Sequence, residues 1–221
     1  MALFKKKELS EAEKERGVGL LNSIRIVVNV LYALLIFQAF LILPRPDDPL
    51  LEYNSLSQIY ADNLMQLLVI VVGLILIIIY WIQFNLLLGN IKRSSPMHAV
   101  LALLQVIFLM IYLYFLRFDI EYDGMTLALQ MESIFLALAG FVGAINWRYA
   151  RSRGLTSDRI TNTEELEIFY RVLSEPIAAL FTLPFAVYGP DIWTLAFLSI
   201  IPIGLILKWA RKKEIEKMHK A

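Results

Sequence analysis

The sequence predicts an all-α, polytopic membrane protein with six transmembrane helices and both termini in the cytoplasm. Of its 221 residues, 58% are hydrophobic and only 19% are charged, whereas soluble domains average about 45–50% and about 25%. Six separate apolar stretches reach the length of about 20 residues that a helix needs to cross a hydrocarbon core of about 30 Å. Basic residues collect on one side of these stretches. A soluble fold is excluded because its single core could not bury this much apolar surface.

The predicted spans follow one another with short connections. They are residues 19–43, 62–88, 97–116, 125–147, 166–187 and 192–209. Residues 1–17 are expected to form a cytoplasmic segment, residues 18–210 the transmembrane domain and residues 211–221 a basic cytoplasmic tail. Prolines predict kinks in the last two spans; they are Pro176, Pro184 and Pro202.

Two further local patterns mark helix starts and a packing surface. The spacings Ser10-x-x-Glu13 and Thr161-x-x-Glu164 are capping-box patterns, which predict helix starts before spans one and five. On span four, small residues recur four apart from Ala139 to Ala144. This spacing predicts close packing of span four against a neighbouring helix.

The charge distribution sets the predicted orientation. Most Lys and Arg residues fall in the N-terminal segment, the second–third loop, the fourth–fifth loop and the C-terminal tail. The opposite side has two basic residues and seven acidic ones: Arg45, Arg117, Asp47, Asp48, Glu52, Asp119, Glu121, Asp123 and Asp191. Because cytoplasmic loops carry the excess of Lys and Arg, both termini are predicted to be cytoplasmic. We expect the cell inner membrane as the location.

Composition also excludes several functional classes. The net charge of +1 gives no basic surface for nucleic acid. There is no cysteine and there are two histidines, so we expect no metal site. No phosphate-binding loop, HExxH or GxSxG motif occurs, so the sequence predicts neither an enzyme nor a cofactor.

Polar side chains within the spans are candidate functional residues, because such groups are costly in lipid. Span one carries four of them in its inner half, and spans two and three bring amides to similar depth. They are Asn22, Ser23, Arg25, Asn29, Gln83, Asn85 and Gln105. One interpretation is a hydrogen-bonded cluster. The other is that these residues join helices, with Arg25 extending to the cytoplasmic interface.

Glu132 on span four is the one buried acid that the sequence predicts. It lies about 10 Å from the outer edge, where Gln66 or Gln38 is the expected neighbour. It could take part in a proton relay, or it could simply be a buried, hydrogen-bonded carboxyl group.

Span one also carries an apolar stripe at helical spacing. Its members are Leu20, Ile24, Val27, Leu31, Leu34 and Gln38. Such a stripe is typical of a lipid-facing or packing surface. Several copies around an axis would instead form a hydrophobic constriction, with Gln38 at the pore mouth.

Four motifs resemble a known family. Arg16 is followed by Leu20-Leu21-Asn22-Ser23, and Trp81-Ile82-Gln83-Phe84-Asn85 closes span two. Span four ends with Asn146-Trp147-Arg148-Tyr149-Ala150-Arg151, and span five contains Pro176-x-x-x-Leu180-Phe181-x-Leu183-Pro184. In this order they resemble the lysosomal and bacterial potassium-channel family of the transmembrane-protein-175 type. The signature Asp-Gly of that family is replaced here by Asn22-Ser23.

The resemblance implies a homotetramer with one six-span repeat per chain and the first helix lining the pore. It maps the constriction onto Val27, Leu31 and Leu34, and a polar network onto Asn22 with Trp81, Gln83 and Asn85. The implied function is a cation channel favouring potassium, with the bilayer and monovalent cations as partners. A non-conducting scaffold with the same fold, and a small-solute or proton-coupled carrier using Glu132, are the alternatives.

Overall fold

The computed structural model describes residues 11–41, 64–122 and 124–220, and the described chain is a bundle of helices. The long helices are α1 (Glu11–Leu41), α2 (Leu64–Gly89), α3 (Pro96–Glu121) and α4 (Thr126–Ser152). Four shorter ones follow: α5 (Asn162–Val172), α6 (Ser174–Thr182), α7 (Pro190–Ala196) and α8 (Ile200–Lys220). Short 3-10 segments lie at Leu183–Tyr188 and Phe197–Ser199. Apart from one isolated bridge between Ile91 and Thr156, no β-structure occurs in these ranges.

The six-span, all-α prediction is confirmed. Within the described residues, six helical stretches are long and apolar enough to cross a membrane. The first four correspond to α1–α4, the fifth to Asn162–Tyr188 and the sixth to Pro190–Glu216. Helix α1 continues without a break through residues 17 and 18, and α8 through residues 210 and 211. The segments predicted at the two ends are therefore continuous with the adjacent spans.

Two of the three predicted prolines interrupt the fifth span, whereas Pro202 lies in the first turn of α8, which continues unbroken to Lys220. Pro176 has no N–H to donate to the carbonyl of Val172, and α5 ends at Val172. The chain changes from α- to 3-10 geometry at Leu183, next to Pro184. In contrast, α5 begins where the capping box predicts, because Thr161 accepts from the Glu164 N–H at 3.2 Å and the Glu164 carboxylate accepts from the Thr161 N–H at 2.9 Å. Ser10, of the other predicted box, lies outside the described residues.

The core of the bundle is built around α4. A side chain at Gly140 would place its Cβ 2.7 Å from Pro176 of α6, and one at Gly143 would lie 3.0 Å from the amide of Gln105 on α3. The small residues of span four therefore allow α3 and α6 to approach closely, as predicted. Tyr80 of α2 ties a third helix to α4 by donating to the Leu136 carbonyl at 2.8 Å.

One end of the bundle, which we call the basic face, brings together the first turns of α1, the second half of α8 and two connections. The Ser94 N–H in the α2–α3 loop donates to the Gly17 carbonyl of α1 at 2.9 Å. The Lys92 N–H donates to the Leu155 carbonyl of the α4–α5 loop, also at 2.9 Å. Arg211 of α8 pairs with Glu167 of α5 at 2.6 Å. The described parts of the segments that carry the predicted excess of Lys and Arg thus lie at one end of the bundle.

Candidate functional site

Helix α1 has one side packed in the bundle and an opposite side whose centre is exposed in the described chain. The packed side repeats every three or four residues: Gly17, Leu21, Ile24, Val28, Tyr32, Leu35 and Ala39 are buried. The opposite side carries Ile26, Val30 and Phe37, whose exposed fractions are 67%, 55% and 60%. We call this opposite side the bare side of α1. Its two edges have different chemistry.

The apolar edge of the bare side borders α3 and consists of Val27, Leu31, Leu34 and Gln38. Val27 and Leu34 are about half exposed, and Leu31 is partly buried against the core. Gln38 is exposed and lines a cavity of about 380 Å³ with residues of α3 such as Arg117. These four residues form a continuous strip because they recur at intervals of three or four along the helix.

At Ile24 the predicted apolar stripe is a packing surface, which is one of its two interpretations. This side chain is 5% exposed and packs in the core, as does its neighbour on the same face, Val28. Leu20 is likewise partly buried against that core. Which part of an apolar stripe remains exposed depends on where the neighbouring helices dock, and helical spacing alone does not contain that information.

The amide edge of the bare side borders α2 and consists of Asn22 and Asn29 with Trp81 and Asn85 of α2. The Trp81 indole N–H donates to the Asn29 carbonyl oxygen at 3.1 Å, and the Asn85 amide donates to the Trp81 backbone carbonyl at 2.9 Å. All four side chains are exposed. Asn22 has no hydrogen-bond partner among the described residues. Because Asn29 lies about 18 Å beyond Gly17 along α1, this edge reaches the middle of a hydrocarbon core of about 30 Å.

Arg25 faces α2 and not the bare side. Its Nη2 donates to the carbonyl oxygen of Leu88 at 2.8 Å. Leu88 lies in the last turn of α2, where carbonyls have no partner within the helix and the helix dipole favours a cation. Arg25 therefore joins α1 to the end of α2. Ser23 donates to the Gly19 carbonyl of its own helix at 3.2 Å, and Arg16 is exposed at the basic face without a described partner.

The polar side chains of spans one to three do not form the single cluster that was one interpretation of the sequence. Gln83 is buried in the bundle whereas Asn85 is exposed, because residues two apart on a helix point about 200° from each other. Gln105 is also buried and lies against Gly143 of α4. The side-chain oxygen of Gln83 and the side-chain oxygen and nitrogen of Gln105 have no hydrogen-bond partner in the described chain. The polar residues are thus divided between the amide edge and the interior.

Glu132 lies in the interior, apart from both edges. It is fully buried, and neither carboxylate oxygen has a hydrogen-bond partner among the described residues. Its electrostatic neighbours are Tyr112 and Asp119 of α3. The predicted pairing with Gln38 is therefore wrong, since Gln38 is exposed on the bare side of α1, and the side chain of Gln66 lies outside the described residues. Within the described chain no group of three or more His, Asp or Glu side chains could hold a metal ion.

The bare side of α1 is unsuited to contact with lipid alone. Amide groups in hydrocarbon cost several kcal/mol when their hydrogen bonds are unmade, so side chains such as Asn22 and Asn29 face protein or water in membrane proteins. Beside them, the apolar edge offers a strip without ionisable groups. A second protein surface or a water-filled space next to α1 would satisfy the amides.

Comparison with known proteins identifies the fold. No protein-family model and no curated protein matches the sequence. A solved structure does match, the crystal structure of a variant of the potassium channel MtTMEM175 in complex with a nanobody–MBP fusion protein. The TM-score is 0.60 at 14% sequence identity, over 95% of this chain and 96% of that chain. The chain therefore has a TMEM175-type channel fold along nearly its whole length, as the sequence motifs predicted.

Proposed function

We propose that four copies of the chain gather their α1 helices around an axis normal to the membrane and conduct monovalent cations, with potassium favoured. The observation that carries this proposal is the bare side of α1. It leaves the amides of Asn22 and Asn29 exposed at membrane depth in a single chain, and Asn22 has no hydrogen-bond partner among the described residues. The likeness to a potassium-channel structure over 95% of the chain supports the same arrangement.

In this proposal the two edges of α1 have separate roles. Val27, Leu31 and Leu34 form stacked apolar rings around the axis, and a narrow apolar ring controls flow by excluding water. Gln38 lies at the outer mouth, where its amide can contact hydrated ions. The amide edge hydrogen-bonds within and between copies, and its Trp81–Asn29 bond sets the rotation of α1 relative to α2.

The remaining members of the inner polar network fix α1 in position. Arg25 holds α1 to the end of α2 through the Leu88 carbonyl. Arg16 lies in the first turns of the same helix, at the basic face. Asn22 and Ser23 occupy the inner end of the bare side, and Gln83 fills the interior behind it.

The charge distribution supports a cation channel whose basic face lies in the cytoplasm. With the basic face in the cytoplasm of an inner-membrane protein, Asp191 is exposed toward the opposite side, where Asp119 is buried and Glu121 pairs with Arg117 at 2.6 Å. An acidic outer face raises the local concentration of cations. The other four acids predicted on that side, Asp47, Asp48, Glu52 and Asp123, lie outside the described residues.

The test is potassium flux into liposomes that contain the full-length protein, after native mass spectrometry has established its oligomeric state in mild detergent. Leu31→Asn should raise the flux at least about tenfold, equivalent to about 1.4 kcal/mol, because a polar ring stays hydrated. Ile26→Asn is the matched control, since Ile26 is exposed on the same helix but points away from the apolar edge. It should leave the flux unchanged.

The outcomes separate the channel from its alternatives. Tetramers that conduct no potassium, with or without Leu31→Asn, would favour a non-conducting scaffold. A monomer in several detergents and in nanodiscs would contradict the pore, because the apolar edge would have no partner copies. Transport that is lost in a folded Glu132→Gln variant, while Leu31→Asn has no effect, would favour a carrier that uses the buried acid.

A further inference from the structure

A second candidate site lies on the basic face, away from α1. A cavity of about 410 Å³ opens between the C-terminal end of α4, helix α5 and the last turns of α8. Its walls include Trp147, Arg148 and Arg151 of α4, Phe169 of α5 and Glu214 of α8. Its volume is within the range of about 300–1,000 Å³ that is usual for small-ligand sites.

Aromatic residues place this cavity at the level of the lipid headgroups. Trp147 closes the predicted fourth span. On α8, Trp209 is 60% exposed and the Lys213 ammonium lies 4.0 Å from the centre of its ring. Exposed Trp with a neighbouring Lys is typical of the membrane–water interface. Glu214 follows Lys213 directly, so the wall that it forms lies just outside the hydrocarbon core.

The arginine wall of the cavity has unused hydrogen-bond donors. The Arg151 Nε pairs with Glu165 at 2.7 Å, and Glu165 is itself nearly buried and accepts from Thr156 at 2.9 Å. This pairing fixes the Arg151 side chain and leaves its two terminal nitrogens available. Arg148 has no hydrogen bond or ion pair within the described chain. The α4 wall therefore presents one fixed guanidinium and one uncompensated guanidinium.

The opposite wall carries an uncompensated negative charge. One carboxylate oxygen of Glu214 accepts from the Tyr170 hydroxyl at 2.6 Å, and the other has no partner among the described residues. A tyrosine hydroxyl orients the carboxylate but does not neutralise it. The cavity is thus lined by a positive charge at Arg148, a negative charge at Glu214 and the apolar ring of Phe169.

We propose that this cavity binds the headgroup of an aminophospholipid, a lipid whose phosphate is accompanied by a primary ammonium. The phosphate accepts hydrogen bonds from Arg148 and from the free nitrogens of Arg151, and the ammonium donates to Glu214. The acyl chains run along the exposed apolar surface of α8 into the hydrocarbon core. A purely anionic headgroup would meet the Glu214 carboxylate, and a trimethylated amine has no N–H to donate to it.

The test measures lipid binding to the full-length, delipidated protein in detergent by native mass spectrometry. The ligands are phosphatidylethanolamine, phosphatidylcholine and phosphatidylglycerol with the same short acyl chains, and soluble phosphoethanolamine. Phosphatidylethanolamine should bind about tenfold more tightly than the others, since one charge-assisted hydrogen bond changes affinity by about that factor. The assay does not depend on ion flux, so its outcome is separate from that of the proposed channel.

Variants of Arg148 and Glu214 test what each wall of the cavity contributes to lipid binding. Arg148→Gln and Glu214→Gln should each lower the affinity for phosphatidylethanolamine about tenfold, and Arg148→Lys should restore part of the loss because it retains the charge without the planar donors. Arg159→Gln is the matched control, because Arg159 is an exposed arginine of the α4–α5 loop that does not line the cavity. It should bind as the wild type does.

Three results would overturn the proposal. If phosphatidylglycerol binds as tightly as phosphatidylethanolamine and Glu214→Gln strengthens its binding, the ligand is a simple anion and the role of Glu214 is wrong. If all three lipids bind with equal affinity and no variant changes that affinity, the lipids only cover the apolar surface non-specifically. If soluble phosphoethanolamine binds as tightly as the lipid, the site recognises a free metabolite of the same chemistry.

Discussion

The two edges of α1 lie on one helix and overlap in depth only between Val27 and Asn29, and they differ in what a single chain supplies to them. The amide edge has partners on α2, since Trp81 donates to Asn29. The apolar edge borders α3, and there Leu31 is partly buried while Val27 and Leu34 remain about half exposed. One edge is therefore fixed by directional bonds within the chain, and the other is fixed only by packing.

This difference shows which edge carries information about assembly. An exposed apolar strip has the same surface chemistry as a lipid-facing strip, so its exposure alone indicates nothing about partners. Exposed amides at membrane depth do indicate a partner or water, because lipid offers them no hydrogen bonds. The amide edge thus argues for an assembly around α1, and the apolar edge supplies the surface that such an assembly would place on an axis.

The largest effect is expected when a charge is added to the apolar edge. Leu34→Lys would place one ammonium per copy in the proposed rings and should lower potassium flux about a hundredfold, or about 2.8 kcal/mol. Ala33→Lys adds the same charge at the adjacent position, which is exposed but about 100° away around the helix. The measurement is flux into liposomes for both variants, with tetramer content checked first.

The two lysine variants also test which edge of α1 faces the proposed axis. Ala33→Lys should keep flux within about threefold of the wild type, which corresponds to less than about 0.7 kcal/mol. Equal loss of flux in the two variants would mean that the whole bare side lines the path. Loss of flux in Ala33→Lys alone would mean that the amide edge, and not the apolar edge, faces the axis.

A smaller effect is expected from adding a methyl group to α1, at Gly17 on its packed side and at Gly19 on its bare side. A Cβ at Gly17 would lie 3.0 Å from the Ser94 carbonyl oxygen and 3.2 Å from the Arg93 Cβ, whereas Gly19 has nothing within 4 Å. Gly17→Ala should lower the free energy of unfolding by about 1–3 kcal/mol through overpacking. Gly19→Ala should raise it by about 0.8–1.0 kcal/mol, the difference in helix propensity between the two residues.

Equilibrium unfolding in mixed micelles measures both glycine variants, and native mass spectrometry adds the oligomeric state. If Gly19→Ala dissociates the oligomer although it clashes with nothing in one chain, another copy packs against Gly19. That result would show that the bare side is covered at its inner end. A stabilising Gly17→Ala would contradict the close approach of α1 to the α2–α3 loop.

The parts of the fold that depend on local sequence could be predicted. Apolar length sets the spans, Thr161 and Glu164 close a capping box by themselves, and Pro176 ends α5 because it has no N–H. Each of these signals acts within a few residues of the chain. Their structural consequences therefore follow from the sequence before any tertiary contact is known.

The arrangement around α1 depends on partners that the sequence does not mark. Arg25 binds the backbone carbonyl of Leu88, and every residue type presents such a carbonyl. Ile24 belongs to the same stripe as Val27 by spacing but packs in the core because α2 and α3 dock on that face. Spacing gives the depth of a side chain and its rotation relative to its own helix, but not the position of neighbouring helices.

The cavity on the basic face was missed for a related reason. In the sequence, Arg148 and Arg151 indicate the orientation of the chain and belong to the motif that closes span four, and neither role points to a cavity. Glu214, more than sixty positions along the chain from Arg148, becomes their neighbour because α8 returns to the end of α4. The tryptophans at positions 147 and 209 were the available signal, since Trp marks the interface level at which a headgroup site can form.

The smallest expected effect tests the bond that defines the amide edge. Trp81→Phe removes the donor and Asn29→Leu removes the acceptor of a hydrogen bond of 3.1 Å. In a double-mutant cycle the two changes should couple by about 0.6 kcal/mol, the average for hydrogen bonds between helices in a membrane protein. The measurement is the free energy of unfolding of the single and double variants in mixed micelles.

Asn22 supplies the control for this cycle, because it is an amide of the same edge without a described partner. Trp81→Phe combined with Asn22→Leu should be additive within about 0.3–0.5 kcal/mol, as expected for side chains that share no contact. Coupling in that control, without coupling to Asn29, would mean that Trp81 binds a different amide once the copies assemble. Because Asn22 and Asn29 are seven residues apart, they lie on the same side of α1 and about 10 Å apart along its axis. The same result would therefore require α1 to shift along its axis, which would change the depth of Val27 and Leu34.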